Sequence, residues 1–210
     1  MKLYPHSKFE SKYWNKNRFV AGVDETGRGS IAGPVVAAAV VLPVDFPGIK
    51  GLNDSKKLSF KKRQQLYQEI IDIAEDYSVA FIDNHEIDDT DILTCTVKAM
   101  NKAVLQLKAD IRYVLIDGNY FIPKFDTPYE TIVKGDEKSV SIAAASIIAK
   151  VTRDKWMIEN ADKKFPGYHL NTNMGYGTEQ HFAAIDKLGT CDLHRTTFLK
   201  KHYPDQLNLL

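Results

Sequence analysis

Residues 34–43 read PVVAAAVVLP. Eight apolar residues stand in a row between two prolines, with no polar face. The run is too short to span a bilayer, and its length and β-branched content favour a strand buried on both faces. Such a strand needs one layer of helices above it and another below. That requirement restricts the chain to a layered α/β architecture.

The remaining pattern agrees. Residues 19–25, FVAGVDE, read as a second strand, and residues 78–82, 112–119 and 129–133 as three more. Between residues 60 and 77, Leu66, Ile70, Ile73, Ala74 and Tyr77 fall at helical spacing. Leu93, Val97, Met100, Val104 and Leu107 make a like stripe over 91–107. Residues 138–164 lack glycine and proline and are rich in small apolar side chains, which predicts a long buried helix. Another helix is capped by Thr178 and stopped by Gly189. Strands come first and then alternate with helices, so the expected class is α/β with a mixed sheet and a helical appendage over the last thirty residues.

With 210 residues, 44% apolar and 26% charged, the chain can bury a core without cross-links. Cys95 and Cys191 are far apart and form no CxxC pair, which argues against a disulfide framework or a zinc site. The first twenty residues are polar, without the apolar core of a signal peptide. A soluble, cytoplasmic protein is the expectation. The formal charge of +1 is unlike that of most nucleic-acid binders. The average hides basic clusters at 55–63 and 193–202, which contain no acid. They are either solvated faces or a basic surface whose charge a neighbouring acidic site cancels.

Four carboxylates carry the chemistry. Asp24 closes the strand at 19–25 and Asp117 closes the one at 112–119. Ligand sites of α/β sheets lie at such carboxyl ends. Asp154 is in helical register with Ile147 and Val151, on the face that packs on the sheet, and Glu25 adjoins Asp24. Buried acids repel one another unless hard divalent cations neutralise them, and oxygen ligands suit Mg²⁺ or Mn²⁺. Each acid also has a plainer reading: Asp24 a strand-end cap, Asp117 a turn former, Asp154 the partner of Arg153 or Lys150. Adjacent strand residues point to opposite faces, so Asp24 and Glu25 share a site only if the strand ends or twists there. The loop TGRGSIAG has glycines at 27, 29 and 33. Ala32 breaks the GxGxxG spacing, and a strand pattern follows where a dinucleotide site needs a helix. Its glycines instead admit a ligand close to the backbone.

The segments AGVDETGRGSIAGPVVAAAVVLP, LNDSKKLS, LIDGN, VKGDEKSVSIAAASIIAKVTRD and MGYGTEQHF…LGTCDLHRTTF, in that order, resemble the type 2 ribonuclease H family, specifically bacterial ribonuclease HII. The resemblance runs from Ala21 to Phe198. It implies a ribonuclease H-like mixed sheet flanked by helices: a catalytic domain over 1–174, and a helical segment over 175–210 that closes a substrate groove. It implies endonucleolytic cleavage 5′ of ribonucleotides, in RNA–DNA hybrids and at single ribonucleotides in duplex DNA. The products would carry 3′-hydroxyl and 5′-phosphate ends, and the roles would be ribonucleotide and primer removal. The cofactor implied is Mg²⁺ or Mn²⁺ on Asp24, Glu25, Asp117 and Asp154. Gly27, Arg28 and Gly29 would read the ribose 2′-hydroxyl and its phosphate, and Tyr176 would sense the RNA–DNA junction. Further substrate contacts would be Lys56, Lys57, Lys138, Ser139, Ser146 and Lys150. Thr26 and Ser30 stand where the family usually has alanine and proline, with modest effects expected. A ribonuclease H-fold nuclease that needs a run of ribonucleotides, or a non-catalytic nucleic-acid-binding module, are the alternatives. A monomer is expected. The tail KKHYPDQLNLL lacks the aromatic pair of a sliding-clamp motif, which leaves clamp binding a minor reading.

Overall fold

A computed structural model describes residues 6–14, 19–44, 46, 48–52, 55, 58–200 and 202–203. In chain order the elements are α1 (Ser11–Trp14), β1 (Phe19–Thr26), β2 (Val35–Val41), α2 (Phe60–Ile73), β3 (Asp76–Ile82), α3 (Asn84–Asp89) and α4 (Ile92–Gln106). There follow β4 (Ile111–Asp117), β5 (Tyr129–Ile132) and α5 (Val140–Trp156). A π turn over Met157–Ala161 then continues α5 into α6 (Asp162–Lys164). The chain goes on through α7 (Leu170–Asn173), α8 (Glu179–Leu188) and α9 (Thr196–Leu199).

The strands form one mixed sheet in the order β3-β2-β1-β4-β5. β1, β2 and β3 are antiparallel neighbours, while β4 lies parallel to β1 and β5 parallel to β4. Every residue of β2 is buried, as the opening sequence pattern requires. Its side chains divide by parity. Ala38 and Val40 join Leu66, Ile142 and Ile147 under α2 and α5. Val35, Ala37 and Ala39 join Ala99, Met100 and Ala103 under α4. Alanine at the sheet centre lets α5 approach closely, and at Gly22 the approach becomes absolute. A Cβ there would lie 2.2 Å from the Ser141 carbonyl carbon. A third cluster, with Ile31, Met157, Leu170, Ile185 and Leu199, packs the C-terminal segment on the end of α5.

The helix expected over 60–77 stops at Ile73, and Asp76 and Tyr77 pair with Val41 and Val40 in β3. Ile73 and Tyr77 are 36% and 40% exposed, so a longer helix buries little, whereas the ladder satisfies backbone groups along an open sheet edge. The short helices α1 and α3 lack the turns needed to show a period. Asp91 and Ser139 cap α4 and α5 through side-chain oxygens that accept backbone N–H groups. Among the described residues no helix is long and apolar enough to cross a membrane.

Candidate active site

β1 and β4 run side by side with Val23 opposite Ile116. One residue further, the parallel register sets Asp24 beside Asp117 at the carboxyl ends of two central strands. Oxygens of Asp24, Glu25 and Asp117 all lie within 4.8 Å of one another. The opposite-face difficulty disappears because the β4 ladder ends at Val23. Beyond it, Asp24 Oδ1 accepts the N–H of Glu25 at 2.7 Å, and the longer Glu25 side chain turns back to the same place. Asp117 Oδ1 accepts the N–H of Gly135 at 2.6 Å. The missing side chain at Gly135 eases that approach, since a Cβ would crowd Ile142 Cδ1 at 2.5 Å and Asp117 Oδ1 at 3.2 Å.

Asp24 is buried. Burial, then the charges of Glu25 and Asp117, and more weakly Asp136, push its carboxyl well above the usual range, against a lowering hydrogen bond with Ser146. Ser146 is itself buried and lies 2.9 Å from Ser55 Oγ. Arg28 Nη1 reaches Glu25 Oε1 at 3.3 Å from an exposed position. A cleft of about 70 Å³ beside the acids is lined by Glu25, Arg28, Asp117 and Asn119 among others. Converging hard oxygen donors with this mutual repulsion fit a small divalent cation.

Asp154 is buried but stands outside the converging group. Its Oδ1 accepts from Lys150 Nζ at 2.7 Å, which is the ion-pair reading of that residue. The acid whose charge does reach Asp24 is Asp136, which sequence reasoning passed over. It follows the buried Gly135 in the short turn between β5 and α5, where no sequence pattern marks it.

The glycine loop adjoins the acids. Gly27 has φ +88°, and a Cβ there would lie 2.3 Å from Arg153 Nε. Gly29 faces open space, and the Arg28 side chain is exposed. The N–H groups of Ile31 and Ala32 both donate to Gly175 O, at 2.9 and 3.1 Å, which ties this loop to the one carrying Tyr176. Tyr176 is half-buried, with Lys150 Nζ 5.5 Å and Arg153 Cζ 5.7 Å from its ring centroid. Burial raises its phenol pKa, but Lys150, Arg153 and hydrogen bonds with Thr26 and Ser30 outweigh that, and the net shift is downward. Thr26 and Ser30, expected to matter little, are therefore both partners of Tyr176.

A buried histidine pair supports Tyr176 from behind. His181 Nδ1 lies 2.9 Å from Tyr176 O, the two Nε2 atoms of His181 and His194 are 3.1 Å apart, and Cys191 N–H donates to His194 Nδ1 at 2.9 Å. A carbonyl only accepts, so His181 carries its proton on Nδ1 and His194 carries its own on Nε2. Burial, and His181 beside it, pull His194 down to about 4. Of the remaining expected contacts, Lys138 is exposed and donates to Val133 O at 2.6 Å. Ser139 is buried, caps α5 and donates to Glu10 Oε1 at 2.5 Å. Lys56 and Lys57 lie outside the described residues.

Carboxylates at the ends of adjacent parallel strands, in a mixed sheet covered by helices on both faces, define a ribonuclease H-like enzyme. The comparisons narrow this class. The sequence matches the model of the family Ribonuclease HII over residues 21–203. It is 50% identical over 191 residues to ribonuclease HII of Endomicrobium trichonymphae, covering 90% of each chain. It is 47% identical over 193 residues to that of Clostridioides difficile (strain 630), covering 91% of this chain and 74% of the relative. In three dimensions it is similar to ribonuclease H2 from Pyrococcus horikoshii OT3. That match has a TM-score of 0.71 at 26% identity and covers 90% of this chain and 100% of the other. The chain belongs to the ribonuclease HII family, and it is a ribonuclease H, a hydrolase of the endonuclease class.

Proposed function

We propose that the protein cuts the phosphodiester on the 5′ side of a ribonucleotide, in RNA–DNA hybrids and at single ribonucleotides within duplex DNA, leaving 3′-hydroxyl and 5′-phosphate ends. The observation that carries this is the convergence of Asp24, Glu25 and Asp117 beside a glycine loop and a half-buried tyrosine. Asp24, Glu25, Asp117 and Asp136 would hold Mg²⁺ or Mn²⁺. Asp154, occupied by Lys150, orients that lysine beneath Tyr176 instead. Bound cations in such a site supply an activated water and charge stabilisation at the leaving oxygen.

The chain's own groups do the rest. The open space at Gly29 lets a ribose reach the backbone, whose polar groups pair with the 2′-hydroxyl, the feature that separates RNA from DNA. Arg28, exposed and anchored on Glu25, faces the adjoining phosphate. The Tyr176 ring lies against the next sugar, where a 2′-hydroxyl would obstruct it. The segment over residues 175–200 closes this side of the groove. An Archaeoglobus fulgidus relative, 26% identical with a TM-score of 0.70, was solved in a PCNA:RNase HII complex. Residues 204–210 of this chain lie outside the described residues, and clamp contact is not part of the proposal.

A labelled duplex with one ribonucleotide, incubated with Mg²⁺, Mn²⁺ or chelator, tests the reading. The expected product ends just before the ribonucleotide, is extendable by a polymerase and forms only with metal. Cutting of an all-DNA duplex, or cutting only within runs of ribonucleotides, would refute it.

A further inference from the structure

Arg153 is fully buried on α5, and its hydrogen bonds go to neutral oxygens on two separate loops. Nε donates to Pro34 O at 2.8 Å, and one Nη2 group serves Ser30 Oγ at 2.9 Å and Ala32 O at 3.2 Å. Its other terminal nitrogen donates to Met174 O at 2.8 Å. The first three acceptors belong to the loop that begins with Gly27–Gly29. The fourth lies two residues before Tyr176. Packing confirms the position. Arg153 Nε fills the space a Cβ on Gly27 would need, and the guanidinium sits 5.7 Å from the Tyr176 ring centroid.

A second guanidinium braces the same loop from the C-terminal segment. Arg195, also fully buried, donates to Gly33 O at 3.0 and 2.8 Å and to Arg28 O at 3.0 Å. Two neighbouring buried cations without carboxylate acceptors weaken a fold. A planar fork also fixes distances that a flexible ammonium cannot. Of these two guanidiniums, Arg153 spans both loops, alongside the backbone bonds from Ile31 and Ala32 to Gly175.

We propose that Arg153 is a positioning residue. It sets the spacing between the Gly27–Gly29 backbone and the Tyr176 ring, and thereby the selectivity for a ribonucleotide followed by a deoxyribonucleotide. This rests on the roles given to those two elements above. Arg153 touches no substrate; it fixes the step between two sugar-reading surfaces.

Steady-state kinetics on two substrates decide the matter: a duplex with a single ribonucleotide and a uniform RNA–DNA hybrid. Arg153→Lys keeps the charge and loses the fork. It is expected to lower kcat/KM on the single-ribonucleotide duplex about tenfold more than on the hybrid. The folded fraction cancels in that ratio, so a merely structural defect leaves it unmoved, and an unmoved ratio overturns the proposal. If thermal melts show Arg153→Lys unfolded, Arg153→Gln serves instead, since its single short amide removes the buried charge and cannot span both loops. It should shift the ratio the same way by severalfold, and no shift is again fatal. Tyr176→Ala, run in parallel, separates the two levels. If it leaves the ratio unchanged, the junction-sensing reading fails and takes this proposal with it. A shift with Tyr176→Ala but not with Arg153→Lys defeats the present proposal alone.

Discussion

Replacing Asp24 with asparagine should abolish cleavage while stabilising the metal-free protein. Its carboxylate shares a 4.8 Å sphere with Glu25 and Asp117. At an effective dielectric near 20, each such pair repels by about 3 kcal/mol. A proton limits the penalty. At pH 7, protonating an acid of ordinary pKa costs about 4 kcal/mol, from roughly three pH units at about 1.4 kcal/mol each. Asparagine removes the charge, keeps an oxygen for the N–H of Glu25, and disturbs the hydrogen bond with Ser146, at a cost of about 1 kcal/mol. The net gain is about 1–3 kcal/mol, or several degrees in Tm for a chain of this size. The sign with pH follows from the raised pKa. The folded wild type holds a proton that the unfolded chain releases above about pH 4, so its metal-free stability falls as pH rises from there. The variant should lack that part of the slope. Divalent metal should reverse the order, since a ligand at a thousand times its Kd adds about 4.1 kcal/mol to the wild type alone. Melts in chelator and in Mg²⁺, at pH 5 and pH 8, read all of this. A variant that melts below the wild type in chelator, with Mg²⁺ raising both equally, would refute the repulsion among these acids.

Gly29→Ala should leave Tm within about 1 °C, because a Cβ there meets nothing within 4 Å, yet raise KM by tenfold or more; an unchanged KM removes the close approach of the ribose. Gly22→Ala should cost about 3 kcal/mol or more in denaturant unfolding, beyond ordinary overpacking, because the neighbour at 2.2 Å is backbone; a variant of wild-type stability would contradict the packing of α5 on β1. His194 is lowered to about 4, so the unfolded chain binds the proton first as acid is added. Stability should then fall as pH drops from about 6.5 toward 4, by up to about 1.4 kcal/mol per unit. His194→Gln should flatten that part of a Tm–pH profile, and an unaltered profile would place the slope elsewhere.

The sheet was legible because burial on two faces erases the polar alternation of a strand, and residues 34–43 show that erasure in full. The ends of α8 were legible through Thr178 and Gly189. Asp24 and Asp117 could be paired from sequence because both close apolar strands, and a parallel register sets such ends side by side. Asp136 was not legible. It ends no apolar run and sits on no stripe, and only the folding of Gly135 against Asp117 brings it near. Asp154 showed the converse: helical register placed it on the buried face, but not which neighbour would neutralise it, and Lys150, one turn earlier, does so. The support of Tyr176 was equally hidden, because Thr26 and Ser30, Arg153, and His181 reach it from three parts of the chain that no local pattern connects.

Which acids bind the cation is measured most directly by a calorimetric titration of Mn²⁺ into the wild type, Asp24→Asn, Asp136→Asn and Asp154→Asn. Loss of binding is expected with Asp24→Asn, clear weakening with Asp136→Asn, and near wild-type affinity with Asp154→Asn. Unchanged Mn²⁺ affinity in Asp24→Asn, or loss of it in Asp154→Asn alone, would contradict the site described here.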